Sequence, residues 1–432
     1  MFSSKIQKSY LGHVSLLTVL CIILFEGALN KWLGIPLYAL VSIRDSIVGV
    51  SVLFCAYYNI YSRSKSVSLI ALIWSMFLII YGLIQCLLVN KNLISLVIGI
   101  RFWLLYLWYA IGIVLWVDVN EYNRIRSSVS YLVIFLAPLS VLQNMLPPSH
   151  FINRQPSGEL EGIFLLAEGI VRVTGTFTFT VGYTCFIAFA TPLIFDLGRS
   201  YFKYTAVVAL TLMVATSGSR AAVFWFFSVL TIIAILPVII LTTHRSFLFA
   251  MTSIAAGILV FYIGISIAPK LLDAYEARIQ NASRSENVYR RILVLAAGEP
   301  HVYENYSVLG KGLGMGSNAT GQLTGGSKKD SFRVGESESG KIVGELGFIG
   351  LFWLVMKFIF YFFIALKSFQ YSKSLNTVMP TAMSLTVIYG TLTWPMSGQL
   401  SAHGIAYISL ICLFLMFRNC ELLIKSRNNG NI

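Results

Sequence analysis

The chain has 432 residues, of which 57% are hydrophobic, 14% aromatic and only 12% charged, and its mean hydropathy is +0.76. A soluble globular protein carries about 25% charged residues, so cytosolic enzymes, disordered chains and nucleic-acid-binding proteins are excluded and a multi-spanning membrane protein remains. The 32 basic and 18 acidic residues leave a net charge of +14, which reads as membrane topology because the basic residues collect in short segments between apolar runs.

A hydrocarbon core of about 30 Å needs roughly 20 apolar residues per helix. Runs of that kind predict about twelve transmembrane helices, near 11–30, 38–60, 67–88, 94–116, 128–146, 180–196, 203–217, 220–241, 247–267, 346–366, 378–396 and 401–418. The seventh is short. The runs are continuous rather than alternating, so barrel strands are not expected. The first run follows Lys5 and Lys8 as a signal peptide would. It lacks a small-x-small cleavage site and continues into Glu26, so a retained helix is expected.

The predicted fold class is therefore an all-α polytopic membrane protein. Residues 1–267 hold helices one to nine, with an external loop near 147–180. Residues 268–345 form a large external loop between helices nine and ten, and residues 346–432 hold the last three helices and a cytoplasmic tail. An even number of spans puts both termini on one side. With the termini inside, the inner segments carry Arg63, Lys65, Arg124, Arg126, Arg199, Lys203, Arg245, Lys367 and Lys373. The short outer loops carry only Lys31, Lys91 and Arg220, so this orientation follows the positive-inside rule. Loops as long as the two outer ones are usually functional, which places the expected chemistry on the outer face.

The six cysteines follow no disulfide or metal spacing and read as core thiols. The five histidines, His403 among them, are scattered and form no ligand motif. No metal and no cofactor is expected.

Ionisable residues in or beside the spans carry more information, because lipid makes them costly. Arg44 and Asp45 are adjacent near the outer end of span two, and Arg101 lies in the outer half of span four. Arg172 precedes span six in RVTGTF, and Arg220 follows Ser217-Gly218-Ser219 at the outer end of span eight. Four arginines at one depth suit an anion, and guanidinium forks match phosphate oxygens. The plainer alternative is internal pairing or snorkelling. Lys357 sits within span ten, where it either lines a cavity or snorkels.

The run Gly310-Lys-Gly312-Leu-Gly314-Met-Gly316 resembles a nucleotide loop, but no strand–helix unit frames it. It reads as a turn of close backbone approach. In ESESGKIVGELGFIG, Glu336 and Glu338 end the large loop at the depth of the arginines. Either could act as a general base. Alternatively, the segment is a helix start, with Ser337 or Ser339 as cap and the acids favoured by the dipole.

Three segments in order resemble the O-antigen ligase/polymerase family of bacterial envelope glycosyltransferases. They are Arg172-Val-Thr-Gly175-Thr-Phe177, Ser217-Gly-Ser219-Arg220, and the stretch from Tyr289-Arg290-Arg291 through Gly310–Gly314 to Gly344-Glu345-Leu-Gly347-Phe-Ile-Gly350. The resemblance covers the overall topology, but its motifs span only about residues 170–350. It implies transfer of a sugar chain from undecaprenyl pyrophosphate to an acceptor hydroxyl, in the bacterial inner membrane with both termini cytoplasmic. Nucleotide sugar and metal would not be required. It implies pyrophosphate binding by Arg172 and Arg220, with Arg290 joining them; Arg101 and Arg44 complete the candidate set.

The family's ligases carry a histidine about nine residues before the glutamate of the E-x-G turn. Counted back from Glu345 that position is Glu336, with Glu338 beside it, which favours a polymerase that joins repeat units over a ligase. The implied partners are the lipid-linked oligosaccharide, membrane lipid and a chain-length regulator protein. A transporter or lipid flippase is the alternative from another class. Transporters usually show two similar halves and mid-membrane polar sites; no half-to-half repeat is evident here, and Lys357 is the one clear mid-span charge.

Overall fold

The computed structural model describes residues 2–118, 120–156, 171–198, 200–241, 288–304, 307–323, 334–335, 337–393 and 400–428, together with the single positions Ala255, Ile258 and Tyr262. All regular structure among the described residues is helical. Among the described residues eight helices are long and apolar enough to cross a membrane, and the chain is a membrane protein with an all-α fold. Apart from Ala255, Ile258 and Tyr262, the expected span near 247–267 lies outside the described residues, as does Glu336.

α1 (Phe2–Leu33) ends where Gly34 adopts φ +70°, and Pro36 leads into α2 (Leu37–Tyr57). A 3₁₀ turn, Ile60–Ser64, passes into α3 (Lys65–Gln85), which continues as a π turn to Asn90. α4 (Leu93–Ile100) and α5 (Tyr106–Trp116) form one rod, interrupted by a π turn at Arg101–Leu105. α6 (Glu121–Met145), α7 (Thr180–Phe195), α8 (Tyr201–Thr216) and α9 (Arg220–Leu241) follow. The large loop contributes α10 (Val288–Ala297), α11 (Pro300–Glu304), α12 (Asn318–Leu323) and α13 (Glu338–Leu346). α14 (Phe348–Leu375), α15 (Met379–Thr393) and α16 (Leu400–Asn428) complete the bundle.

Burial separates the helices by role. α7 is the central helix: all but two of its 16 residues are buried. α2, α3 and α14 instead present large apolar side chains outward, including Leu53, Ile73 and Phe362. With no water to hide from, these side chains face lipid. A second, smaller core of Leu78, Leu96, Leu313, Val343 and Leu346 ties the large loop to the ends of α3 and α4.

α7 and α8 have 16 residues each, so each spans only about 24 Å. They stop short of the roughly 30 Å of a lipid core. The irregular segment 171–179 therefore sits low between the helices. Val173, Thr176, Phe177 and Thr178 are each no more than 2% exposed. Non-helical backbone at such depth is tolerated only inside protein or along a cavity.

The opposite end of the bundle gathers the basic residues. Arg126 pairs with Asp196 at 2.8 Å, Lys367 with Glu421 at 2.9 Å, and Arg124 with Glu121 at 2.8 Å.

Candidate functional site

The site grows from two consecutive residues on α6. The amide of Gln143 accepts from the Gly175 backbone N–H at 2.8 Å and donates to the Gly175 carbonyl at 3.2 Å. Its neighbour Asn144 donates to the Thr216 carbonyl at 3.3 Å. One turn of α6 thus holds both the RVTGTF turn and the SGSR turn. α7, which follows the RVTGTF turn, also touches the SGSR turn, with the hydroxyls of Thr184 and Ser219 3.3 Å apart. Gly175 takes φ +57° and Gly218 φ +61°, a left-handed conformation that favours glycine.

α1 closes against the same turn. A Cβ on Gly27 would lie 2.1 Å from the backbone of Phe177 and Thr178, so only glycine permits this approach. Lys31 donates to Thr174 Oγ1 at 2.8 Å and to the Gly175 carbonyl at 3.0 Å. Lys31 was expected in a short outer loop. It stands instead in the last turn of α1, 2% exposed, because the helix runs on to Leu33.

Deeper in the bundle lies a four-member ion cluster. Arg44 is fully buried and donates to Glu26 Oε2 at 2.7 Å. Its Nε lies 3.7 Å from Asp45, and Arg101 pairs closely with the same Asp45. Tyr106 Oη donates to Asp45 at 3.2 Å, and Ser401 Oγ donates to Glu26 at 3.2 Å. Two guanidiniums face two carboxylates, so the cluster is neutral, which is what a low-dielectric interior requires of buried charge. The expectation that Arg44 and Arg101 grip an external diphosphate is corrected accordingly. Their charge is matched within the protein, and Arg44 has no exposed surface.

Arg172 and Arg220 occupy a different setting. Both are half-buried, one at the head of the RVTGTF turn and the other as the first residue of α9. Arg290 is exposed on α10, which packs against α13 and α15.

α13 begins with Ser337 as its cap, accepting from the Gly340 N–H at 3.0 Å. Glu338 is the first helical residue and is 6% exposed. It lies within electrostatic reach of Lys357, Tyr361 and Tyr407, so it looks into the bundle rather than outward. The Glu299 carboxylate accepts from the Ser337 N–H and complements the helix N-terminus.

The GKGLGMG run makes the expected close approach. Gly310, Gly312 and Gly314 all have positive φ. A Cβ on Gly310 would lie 2.2 Å from the Glu345 carbonyl, and one on Gly314 would lie 2.2 Å from the Ser95 carbonyl. The Glu345 carboxylate accepts from the Gly316 N–H at 2.8 Å, and burial pushes its pKa up to about 7. Gln85 at the end of α3 fastens the loop from below. Its amide donates to the Leu309 and Glu345 carbonyls and accepts from the Leu313 N–H at 3.0 Å.

The side chain of Lys357 reaches α15. Its ammonium donates to the Thr391 carbonyl at 2.9 Å, in the last turn of α15 where carbonyls lack helical partners.

Sequence reasoning did not single out Glu26, Gln143, Gln85, Glu299, Ser401 or His403. His403 is 3% exposed, with ring contacts to Phe102, Tyr106 and Tyr407 at 4.8–4.9 Å between centroids. Glu26 alone carried a readable signal, as an acid inside an apolar run. Among the described residues no cluster of three or more His, Cys, Asp or Glu could hold a metal ion. The chain matches no protein-family model, no curated protein and no solved structure.

Proposed function

We propose that this protein is a glycosyltransferase of the bacterial inner membrane. It joins undecaprenyl-pyrophosphate-linked oligosaccharide repeat units on the outer face, in the manner of an O-antigen or capsule polymerase. The observation that carries this reading is the pairing of Gln143 and Asn144 with Gly175 and Thr216, which gathers the two arginine-bearing turns at one end of the bundle. Irregular, hydroxyl-rich backbone held below the ends of short helices is the setting in which a membrane protein handles a polar headgroup. The placement of basic residues at the other end fits termini that are cytoplasmic.

In this reaction an acceptor hydroxyl attacks the anomeric carbon, and the bond from that carbon to the phosphate oxygen breaks. The pyrophosphate leaves with the electron pair. Arg172 and Arg220 stabilise the negative charge that develops on it. Glu338 takes the hydroxyl proton, a contribution typically worth about 10²–10⁴-fold. Arg44 and Arg101 hold the bundle together beneath the headgroup.

The test is polymerisation of a purified lipid-linked repeat unit by the purified chain, with no nucleotide sugar, metal or energy source added. Arg172→Ala and Arg220→Ala should each abolish polymer while remaining in the membrane fraction. Undiminished chain length in both variants defeats the assignment. Deletion that leaves long but unattached chains in the cell identifies a ligase instead.

A further inference from the structure

We propose that the slot between α2 and α3 holds one acyl chain of an anionic phospholipid, whose headgroup rests on Arg63 and Lys65. This site is separate from the catalytic reading and lies at the opposite end of the bundle.

α2 and α3 both pack on α5 rather than closing on each other. The gap between them is a cavity of about 660 Å³, lined by Val52 and Ala56 of α2, Leu69 and Leu72 of α3, Tyr61 and Trp108. On α2 the residues Asp45, Gly49, Val52 and Ala56 fall at i, i+4, i+7 and i+11, which is a single stripe. A Cβ on Gly49 would meet nothing within 4 Å. The wall of the slot therefore stays open for a further turn toward the middle of the bundle. An open apolar groove of this kind suits a hydrocarbon chain.

The mouth of the slot carries the opposite chemistry. Lys65 is its cationic lining residue, with the hydroxyl-bearing Ser62 and Ser68 beside it. Lys65 is also the first residue of α3, whose unpaired N–H groups favour an anion. Arg63 is exposed and donates to the Leu115 carbonyl rather than to an acid. Among the described residues no ion pair joins Arg63 or Lys65 to a carboxylate. Two cations with no carboxylate in ion-pair contact, at the end of an apolar slot, are complementary to a phosphodiester headgroup on a fatty chain. Of the further charges nearby, Arg418 lies within electrostatic reach of Arg63, and Asp118 within reach of Arg418. Each basic residue near a membrane surface favours an anionic lipid by about fivefold.

The experiment uses the full chain in detergent micelles, titrated with phosphatidylglycerol or phosphatidylcholine carrying brominated acyl chains. Bromine quenches nearby tryptophan, and Trp108→Phe identifies the share of the eight tryptophans' emission that comes from the slot. Phosphatidylglycerol should quench that share at a concentration about 25-fold lower than phosphatidylcholine, about fivefold for each of the two cations. Arg63→Gln with Lys65→Gln should abolish the preference. Ala56→Phe, which fills the slot from an exposed position, should abolish the quenching; Val52→Phe gives a second occluding variant. Equal quenching by both lipids, or undiminished quenching in both occluded variants, overturns the proposal. So does displacement of the brominated lipid by undecaprenyl phosphate, which assigns the slot to an isoprenoid chain.

Discussion

Glu26 and Arg44 meet at 2.7 Å with 1% and 0% of their side chains exposed. Without Arg44 the Glu26 carboxylate has no cation in contact, and without Glu26 the Arg44 guanidinium keeps only its 3.7 Å approach to Asp45. Removing one partner of a buried pair costs about 3–5 kcal/mol, whereas replacing both with apolar groups of similar volume is often neutral. Glu26→Gln and Arg44→Met should each lower the thermal midpoint in detergent strongly. The double variant Glu26→Leu/Arg44→Met should recover most of the loss. Additive losses in the double variant would mean that the pair is not the source of the effect.

Two glycines on neighbouring helices make opposite predictions. Gly27→Ala forces a Cβ to within 2.1 Å of the RVTGTF backbone, and overpacking of that kind costs about 1–3 kcal/mol. It should also reduce polymer formation, because it displaces the turn that carries Arg172. Gly49→Ala meets open space and replaces a helix-interior glycine, which should stabilise by up to about 1 kcal/mol. Thermal unfolding of the two variants side by side checks both signs.

Glu345 gives the loop a pH dependence. Its proton is held up to about pH 7 in the folded loop, against 4.5 for the free side chain. Between those values the folded state binds more protons than the unfolded one. Docking of the loop is therefore firmest at or below the lower value, weakens as pH rises, and levels off above 7. The full difference is about 3 kcal/mol. Protease cleavage within 307–323 should accelerate from pH 5 to pH 8, and Glu345→Gln should flatten that profile. A rate that falls with pH would contradict the assignment.

Lys357→Met removes the only described side-chain donor to the Thr391 carbonyl. A hydrogen bond involving a charged group is worth about 1.5–3 kcal/mol. The variant should unfold earlier by that amount, with amide exchange near the end of α15 rising first. Lys357→Arg, which keeps a donor, should lose less.

The spans are legible in the sequence because lipid demands continuous apolar runs, and α9 stands where the run at 220–241 places it. The glycine spacing of 310–316 was also legible, since only glycine takes three positive φ values in five residues. The sequence offers Ser337 or Ser339 as a cap and the structure uses Ser337, whereas the orientation of Glu338 toward Tyr407 has no sequence signal. Such facts depend on tertiary neighbours. Arg44 could be read either as an anion ligand or as half of a pair until the position of Glu26 on α1 decided between them. Lys31 was misplaced by the few residues that α1 runs beyond its apolar stretch. Gln143 and Gln85 gave no signal, because an amide that binds loop backbone from a distance leaves no local pattern.

The hydroxyl that completes the Glu26 cluster comes from Ser401, 375 positions later in the chain. At a ribosome's pace of about 5–20 residues per second, the first helix waits for the last by roughly 20–75 s. Arg44, only 18 positions behind Glu26, arrives within seconds and shields that acid during insertion. The first hairpin can thus enter the bilayer as an electrically balanced unit, and the bundle is sealed only when the final helix is delivered.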